Sequence, residues 1–455
     1  MVMIGRFIVV LSLSTGALAQ TVGLVVAPAP QAAALPPAPQ GTQPQSQAPP
    51  TLTFQDALTR ARSVVPEYLT ARTDAAMAKE DRVQARSTLL PSVTYNNTFL
   101  YTQPRNNSFG VAFITNNAPR EYLSQANPHE DIGLDSYYEY RRTQAAEAVA
   151  RAKFEVALRG LVVTVAEAYY GLIVAQRKYA TAQLAMQEAQ RFLNISQQLE
   201  HGGEVAHSDV VKAQLQFNDR NRLLQEGQLG LDKARLALAV LIYADFNQNF
   251  NVVDDLALSP PLPPISDVQA AAVLNNPDLM AATASVTVAQ AAVSSARAGY
   301  LPRLSLDYWY GIDAPQFAVY DPNHVRNLGY AAAATLNIPI WNWGITQSKV
   351  RQANLQQQQS QVQLSATRRQ LLANIQSVYR EADAARAELD LLRQSFDLAT
   401  ESLRLTNLRY QGGEATVLEI VDAQNTLTAA RDAFDDGEAR YKIALANLQT
   451  LTGTF

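Results

Sequence analysis

The chain has 455 residues, 47% of them hydrophobic, with 37 Lys+Arg against 41 Asp+Glu and no cysteine. This excludes a collagen, a disordered tail and a disulfide scaffold, and it removes thiolate metal sites, a cysteine nucleophile and a lipidated N-terminal cysteine. A net charge of −4 gives no basic footprint for nucleic acid, and only four histidines are available as metal ligands.

Residues 1–19 hold Arg6, the apolar run Phe7 to Leu13 and the small-residue site Ala17-Leu18-Ala19, the pattern of a secretory signal peptide cleaved after Ala19. Residues 20–50 follow with eight prolines and no charge, a composition expected to form a disordered, extended spacer. Beyond it no stretch reads as ~18 unbroken apolar residues, the longest candidate being Leu236 to Ala244. If the mature chain sits in a membrane, a closed β-barrel is the expected form, because it satisfies every backbone group in lipid.

Two tandem repeats are expected, over 51–258 and 259–455. Residues 129–259 and 340–455 lack proline and are rich in Ala, Leu, Gln, Glu and Arg, so each predicts very long helices. Each is broken by one glycine pair, Gly202-Gly203 and Gly412-Gly413, where residues able to take positive φ would end one helix and turn the next back. Tyr169 corresponds to Tyr379, Gln214 to Gln424, Pro66-Glu67 to Pro277-Asp278 and Leu90-Pro91 to Leu301-Pro302. Between the helices the texture changes to period 2. Ser92 to Phe99 and Leu304 to Tyr310 alternate as strands. Their return partners are expected over Asp131 to Tyr140, through Ile132, Leu134, Tyr138 and Tyr140, and over Tyr330 to Ile340. The strand regions thus span about 91–140 and about 302–343, with tip turns at 201–205 and 411–415. Four strands cannot close a barrel, since even the smallest use about eight. Several chains must then share one.

This order of elements, given twice, resembles the TolC family of outer-membrane efflux proteins over residues 51–455. The resemblance rests on Asn276-Pro277-Asp278-Leu279, on Leu301-Pro302, on Pro339-Ile340-Trp341-Asn342-Trp343-Gly344, and on Arg409-Tyr410 through Gly413 to Glu419-Ile420-Val421-Asp422-Ala423-Gln424. It implies a mainly α fold with a small β part. Three copies would form a homotrimer with a twelve-strand outer-membrane β-barrel joined to a twelve-helix periplasmic α-barrel. It also implies a passive duct, without cofactor or catalytic residue, that carries drugs or other toxic solutes from a periplasmic membrane-fusion adaptor and an inner-membrane pump of RND or ABC type. By resemblance, Glu419 and Asp422 ring the tunnel constriction, and Tyr410, Asp209 and Ser208 form a tip lock in which Ala415 stands where an arginine is expected. Gly202, Gly203, Glu204, Gly412, Gly413 and Glu414 are the tip turns that would meet the adaptor.

Several features admit other readings. Glu419 and Asp422, three apart on a helix, could imitate a glycosidase pair, but a helix in an Ala/Leu/Gln-rich rod offers no substrate cleft. His201, Glu204 and His207 surround one turn and could ligate a metal, yet the turn scatters them, and exposed tip residues are the expected assignment. Trp309, Trp341 and Trp343 are read as an interfacial aromatic belt beside the outer-membrane lipid. Alternative cargoes are secreted proteins of a type I system or metal ions. From another class, a periplasmic coiled-coil scaffold or adaptor would share the long helices.

Overall fold

A computed structural model describes residues 49–101, 120–257 and 260–453. The signal peptide and nearly all of the spacer predicted over 20–50 lie outside the described residues.

Helices dominate. The first half runs β1 (Thr51–Leu52), α1 (Phe54–Val64), α2 (Pro66–Ser87), β2 (Ser92–Tyr101), β3 (Arg120–Ile132), α3 (Leu134–His201), α4 (His207–Ile242) and β4 (Asn251–Val252). The second runs α5 (Ile265–Asn275), α6 (Pro277–Ala298), β5 (Arg303–Ala314), β6 (Leu328–Asn337), α7 (Ile345–Gln411) and α8 (Val417–Thr452). Helix lengths recur closely: 11 and 11 residues for α1 and α5, 22 and 22 for α2 and α6, 68 and 67 for α3 and α7, 36 and 36 for α4 and α8. At 1.5 Å per residue, α3 and α7 are each roughly 100 Å long.

Local chemistry sets these boundaries. Thr53 caps α1 through a capping box with Asp56, and Pro66 and Pro277 open α2 and α6 where a missing N–H costs nothing. Both long helices end in Schellman turns: Glu204 N–H reaches Leu199 O at 2.9 Å and Glu414 N–H reaches Arg409 O at 2.8 Å. Of each glycine pair only the second residue is left-handed, Gly203 at φ 76° and Gly413 at φ 77°. Gly202 and Gly412 keep right-handed helical backbone, so one glycine per turn carries the reversal.

The sheet has the order β2-β3-β5-β6, antiparallel throughout, so the two hairpins join through β3 and β5. Here the structure corrects the expected return strand. Ser92 pairs with His129 and Tyr101 with Arg120, and the chain is already helical from Leu134, after Gly133 in extended backbone at the N-cap. Leu134, Tyr138 and Tyr140 therefore belong to α3. The observed strand contains Pro128, a residue that argues against a strand paired on both sides. Pro128 is accommodated by a gap: the β3–β5 ladder skips residues 127 and 128, and the Asn127 amide donates to Tyr308 O at 3.3 Å instead.

All four junctions between sheet and long helices fall at one end of the sheet. There α2 and α6 lead into β2 and β5, while β3 and β6 lead into α3 and α7. Register divides the sheet into two faces. Thr94, Asn96, Gln125, Asn127, His129, Asp131, Ser305 and Asp307 share one; Val93, Tyr95, Phe99, Tyr122, Leu306, Tyr308, Tyr310 and Tyr330 share the other. The first is polar and the second apolar, the alternation of a sheet with water on one side and lipid on the other.

The largest core joins the middle of α3 to α1, α4 and α8 around Leu161, Val165, Tyr169, Ile173, Leu238, Phe250 and Leu256. Tyr169 is fully buried, and its hydroxyl donates toward Val253 O at 2.8 Å and Leu52 O at 3.2 Å, tying the short β1–β4 pair to α3. Burial, with Asp255 nearby, pushes its pKa up to about 12, so it stays a donor. Two helical stretches, Leu134–His201 and Ile265–Ala298, are by length and composition apolar enough to cross a bilayer. The second includes the uncharged run Leu279–Ala296, in which Ser, Thr and Gln interrupt the apolar residues. The α3 stretch packs against α2, α4, α6 and α8 and its most apolar window is 44% buried, whereas α6 packs against α3 and α7 and only 17% of the second stretch's window is buried in a single chain.

Candidate functional site

At the end of the helices remote from the sheet in sequence, the α3–α4 and α7–α8 turns share a small core of Phe192, Leu193, Val210, Ala213, Tyr410, Val417 and Ile420. Tyr410 packs on Phe192 with ring centroids 5.2 Å apart and is 7% exposed. Its hydroxyl lies 3.4 Å from Ser196 Oγ on α3. It makes no hydrogen bond to Asp209, which pairs with Lys212 at 3.3 Å, and Ser208 is exposed. The three residues of the expected lock are thus not brought together within one chain. Ser196, fully buried, is the partner that sequence reasoning missed; a lone serine among Ile195, Gln197 and Gln198 carries no distinguishing signal. Because the Tyr410–Ser196 contact is long, Tyr410→Phe is expected to cost under about 1 kcal/mol, whereas Tyr410→Ala, which empties an aromatic site, should cost about 3 kcal/mol or more. Denaturant midpoints of the detergent-solubilised protein separate the two, and equal losses would restore the hydroxyl as the lock.

Glu419 and Asp422 play different parts. Thr416 caps α8, and Glu419 closes a capping box on it: Thr416 N–H reaches Glu419 Oε1 at 3.1 Å and Glu419 N–H reaches Thr416 Oγ1 at 3.4 Å. Arg409, at the end of α7, donates to Glu419 Oε2 at 3.2 Å and to Glu414 O at 3.1 Å. So an arginine does brace this turn, from position 409 rather than from the position of Ala415, whose side chain packs into the tip core. The Thr416 backbone bond, then the Thr416 hydroxyl and Arg409, holds the Glu419 carboxyl below its ordinary 4.5. A lowered carboxyl stabilises the turn above that ordinary range, and the contribution is lost as pH falls through the lowered value. Asp422, by contrast, is exposed and has no partner among the described residues. The first turn is built otherwise. Ala206 caps α4 without a side-chain bond, and His207 Nδ1 sits 2.7 Å from Glu200 Oε1 while His201 Nδ1 sits 2.9 Å from Gln197 O. Among the described residues no group of three or more His, Cys, Asp or Glu is arranged to hold a metal.

The three tryptophans separate. Trp341 and Trp343 follow β6 at the helix end of the sheet, 75% and 87% exposed and edge-to-face at 5.7 Å. Trp309 pairs with Ala331 on the polar face, in line with Ser305 and Asp307. It therefore does not belong with the other two in a lipid-facing belt; Tyr308, Tyr310 and Tyr330 occupy the apolar face.

Residues 269–454 match the family described as outer membrane efflux protein. The alkaline protease secretion protein AprF of Pseudomonas aeruginosa is 23% identical over 405 residues, covering 85% of this chain and 82% of that relative. The outer membrane protein TolC of Escherichia coli is 22% identical over 408 residues, covering 87% and 81%. The crystal structure of the Campylobacter jejuni CmeC outer membrane channel superposes with a TM-score of 0.75 at 18% identity, covering 88% of this chain and 85% of that one.

Proposed function

We infer, from the match of residues 269–454 to the outer membrane efflux protein family and the similarity to AprF and TolC over most of the chain, that this protein is a member of that family and the exit duct of a tripartite efflux system. It conducts solute passively and is not an enzyme, as the family consists of outer-membrane channels. One observation carries the assembly: the sheet has two open edges, β2 and β6, ten residues each. An open edge does not survive in lipid. With all neighbours antiparallel, β6 of one copy has the right direction to pair with β2 of the next, and three copies of four strands make a twelve-strand barrel. The long helices then continue it as a twelve-helix periplasmic tunnel, whose exposed turns at 202–204 and 412–414 meet the adaptor that links the duct to its pump. Small toxic solutes are the cargo favoured here, with protein secretion, the role in the name of AprF, and metal efflux as alternatives. The mature chain begins after Ala19 and forms the two repeats 51–258 and 259–455.

At the constriction the geometry favours a division of labour. Asp422, free and exposed, supplies charge to the tunnel, while Glu419 holds the turn that presents it. Three carboxylates about one axis attract cations and repel anions. Asp422→Asn should therefore lower cation selectivity and multivalent-cation block in planar-bilayer recordings without changing the closed-state conductance. Unchanged selectivity and block would make Asp422 an ordinary surface acid.

A further inference from the structure

A groove of about 440 Å³ opens on the sheet beside its helix end, lined by Pro91, His129, Asp307 and Ala333 and by six residues of one face: Pro128 and Glu130 of β3, Leu306 and Tyr308 of β5, and Ala332 and Ala334 of β6. These six residues share the apolar face, since Pro128 stands opposite Val93, Glu130 is bridged to Leu306, which is paired with Ala334, and Tyr308 is paired with Ala332. Two features make the groove. Alanines on β6 leave a hollow beside the larger side chains of β5, and the ladder gap at Pro128 loosens β3 against β5.

Glu130 is out of place there. It is the acid on an apolar face, two residues from the end of β3, and its Oε2 is shut off from solvent with no hydrogen-bond partner. The cation at the same end of the sheet, Arg303, is taken by Asp135. On the opposite face, Asp131 and Asp307 are satisfied by Ser305 and His129. A carboxylate oxygen shut off from water without a donor is costly. The missing partner is a compact cation that can approach along an apolar surface.

On the barrel reading above, this face meets lipid, and the helix end of the sheet is the periplasmic boundary, the level at which Trp341 and Trp343 project. The leaflet there presents phospholipid headgroups. We propose that the groove is a binding site for a phospholipid carrying a primary ammonium in its headgroup: the ammonium donates to Glu130, and an acyl chain lies over Leu306, Ala332 and Ala334. A headgroup with hydroxyls in place of the ammonium would leave the carboxylate without its charge-assisted bond.

The test is native mass spectrometry of the detergent-purified protein, titrated with phosphatidylethanolamine or with phosphatidylglycerol of the same acyl chains. The wild-type trimer should bind the ethanolamine lipid about tenfold more tightly. Glu130→Gln should abolish that preference while leaving the trimer intact, and Ala334→Leu, which fills the groove, should weaken both lipids while keeping Glu130. A trimer that binds both lipids equally, or whose preference survives Glu130→Gln, overturns the site alone. A chain that appears as a soluble monomer overturns the membrane reading and the site with it.

Discussion

Gly311→Ala is expected to abolish the proposed trimer. Gly311 pairs with Gln125 across β3 and with Gly329 across β6, and a Cβ built on it would lie 2.1 Å from Ser124 O and 2.6 Å from Gln125 Cα. Both are backbone atoms of a strand paired on each side, so no side-chain rotation relieves the clash. The β3–β5 ladder is the only seam joining the two hairpins among the described residues, and parting it separates the sheet. A loss of about 3 kcal/mol or more follows from overpacking at a site that cannot yield. Gly329→Ala is the control: it sits in the neighbouring strand at the same level, and nothing lies within 4 Å of its added Cβ. Unheated gel electrophoresis should show wild-type trimer for Gly329→Ala and dispersed monomer for Gly311→Ala. Equal trimer yields would mean that β3 and β5 do not pair in this register.

Arg177→Met should be the most damaging helix substitution. Arg177 on α3 forks onto Asp254 at 2.6 and 2.7 Å, and the same guanidinium reaches Asp435 at 2.9 Å and Glu438 at 2.6 Å on α8. The side chains of Asp435 and Glu438 are only 8% and 10% exposed. Burial works against the Arg177 charge, but the bonds to the three carboxylates outweigh it and raise its pKa. Removing one partner of such a cluster strands the others, at about 3–5 kcal/mol. Lys178→Met, one residue along, breaks an ion pair with Asp436, itself 55% exposed, and removes a charge near Asp432, and should cost less than Arg177→Met, about 1 kcal/mol. The pH dependence has a definite sign. Burial already holds the Asp435 carboxyl above its ordinary 3.8 against the pull of Arg177. Without Arg177 it rises further. A raised carboxyl costs stability above its folded value and regains it as pH falls, so the deficit of Arg177→Met should shrink from pH 8 to pH 5. Denaturation midpoints at the two pH values measure this, and a deficit that grows on acidification would contradict the network.

What was legible in the sequence follows local rules. The glycine turns and the prolines opening α2 and α6 act within a few residues of themselves, and the lengths of the long helices are bounded by them. β3 was not legible, because the feature that identifies it is its partner. Pro128 argues against a strand until Asn127 is seen to serve Tyr308 O in its place. The tip is instructive in the same way. The family resemblance suggested Tyr410, Asp209 and Ser208 as one lock and Glu419 with Asp422 as one pair. Distances across the turn instead give Tyr410 to Ser196 and Glu419 to Thr416 and Arg409, leaving Asp422 free. Trp309 was grouped with Trp341 and Trp343 by residue type, and a register shared with Asp307 and Ser305 separates it.

The claim on which the rest depends is that copies of this chain close a duct through the outer membrane. Native mass spectrometry of the protein extracted from outer-membrane fractions tests it most directly. An assembly of three chains is expected, each beginning at Gln20 and carrying no acyl adduct. A monomer of normal helicity that stays in aqueous buffer without detergent would contradict it, and would favour a periplasmic coiled-coil scaffold.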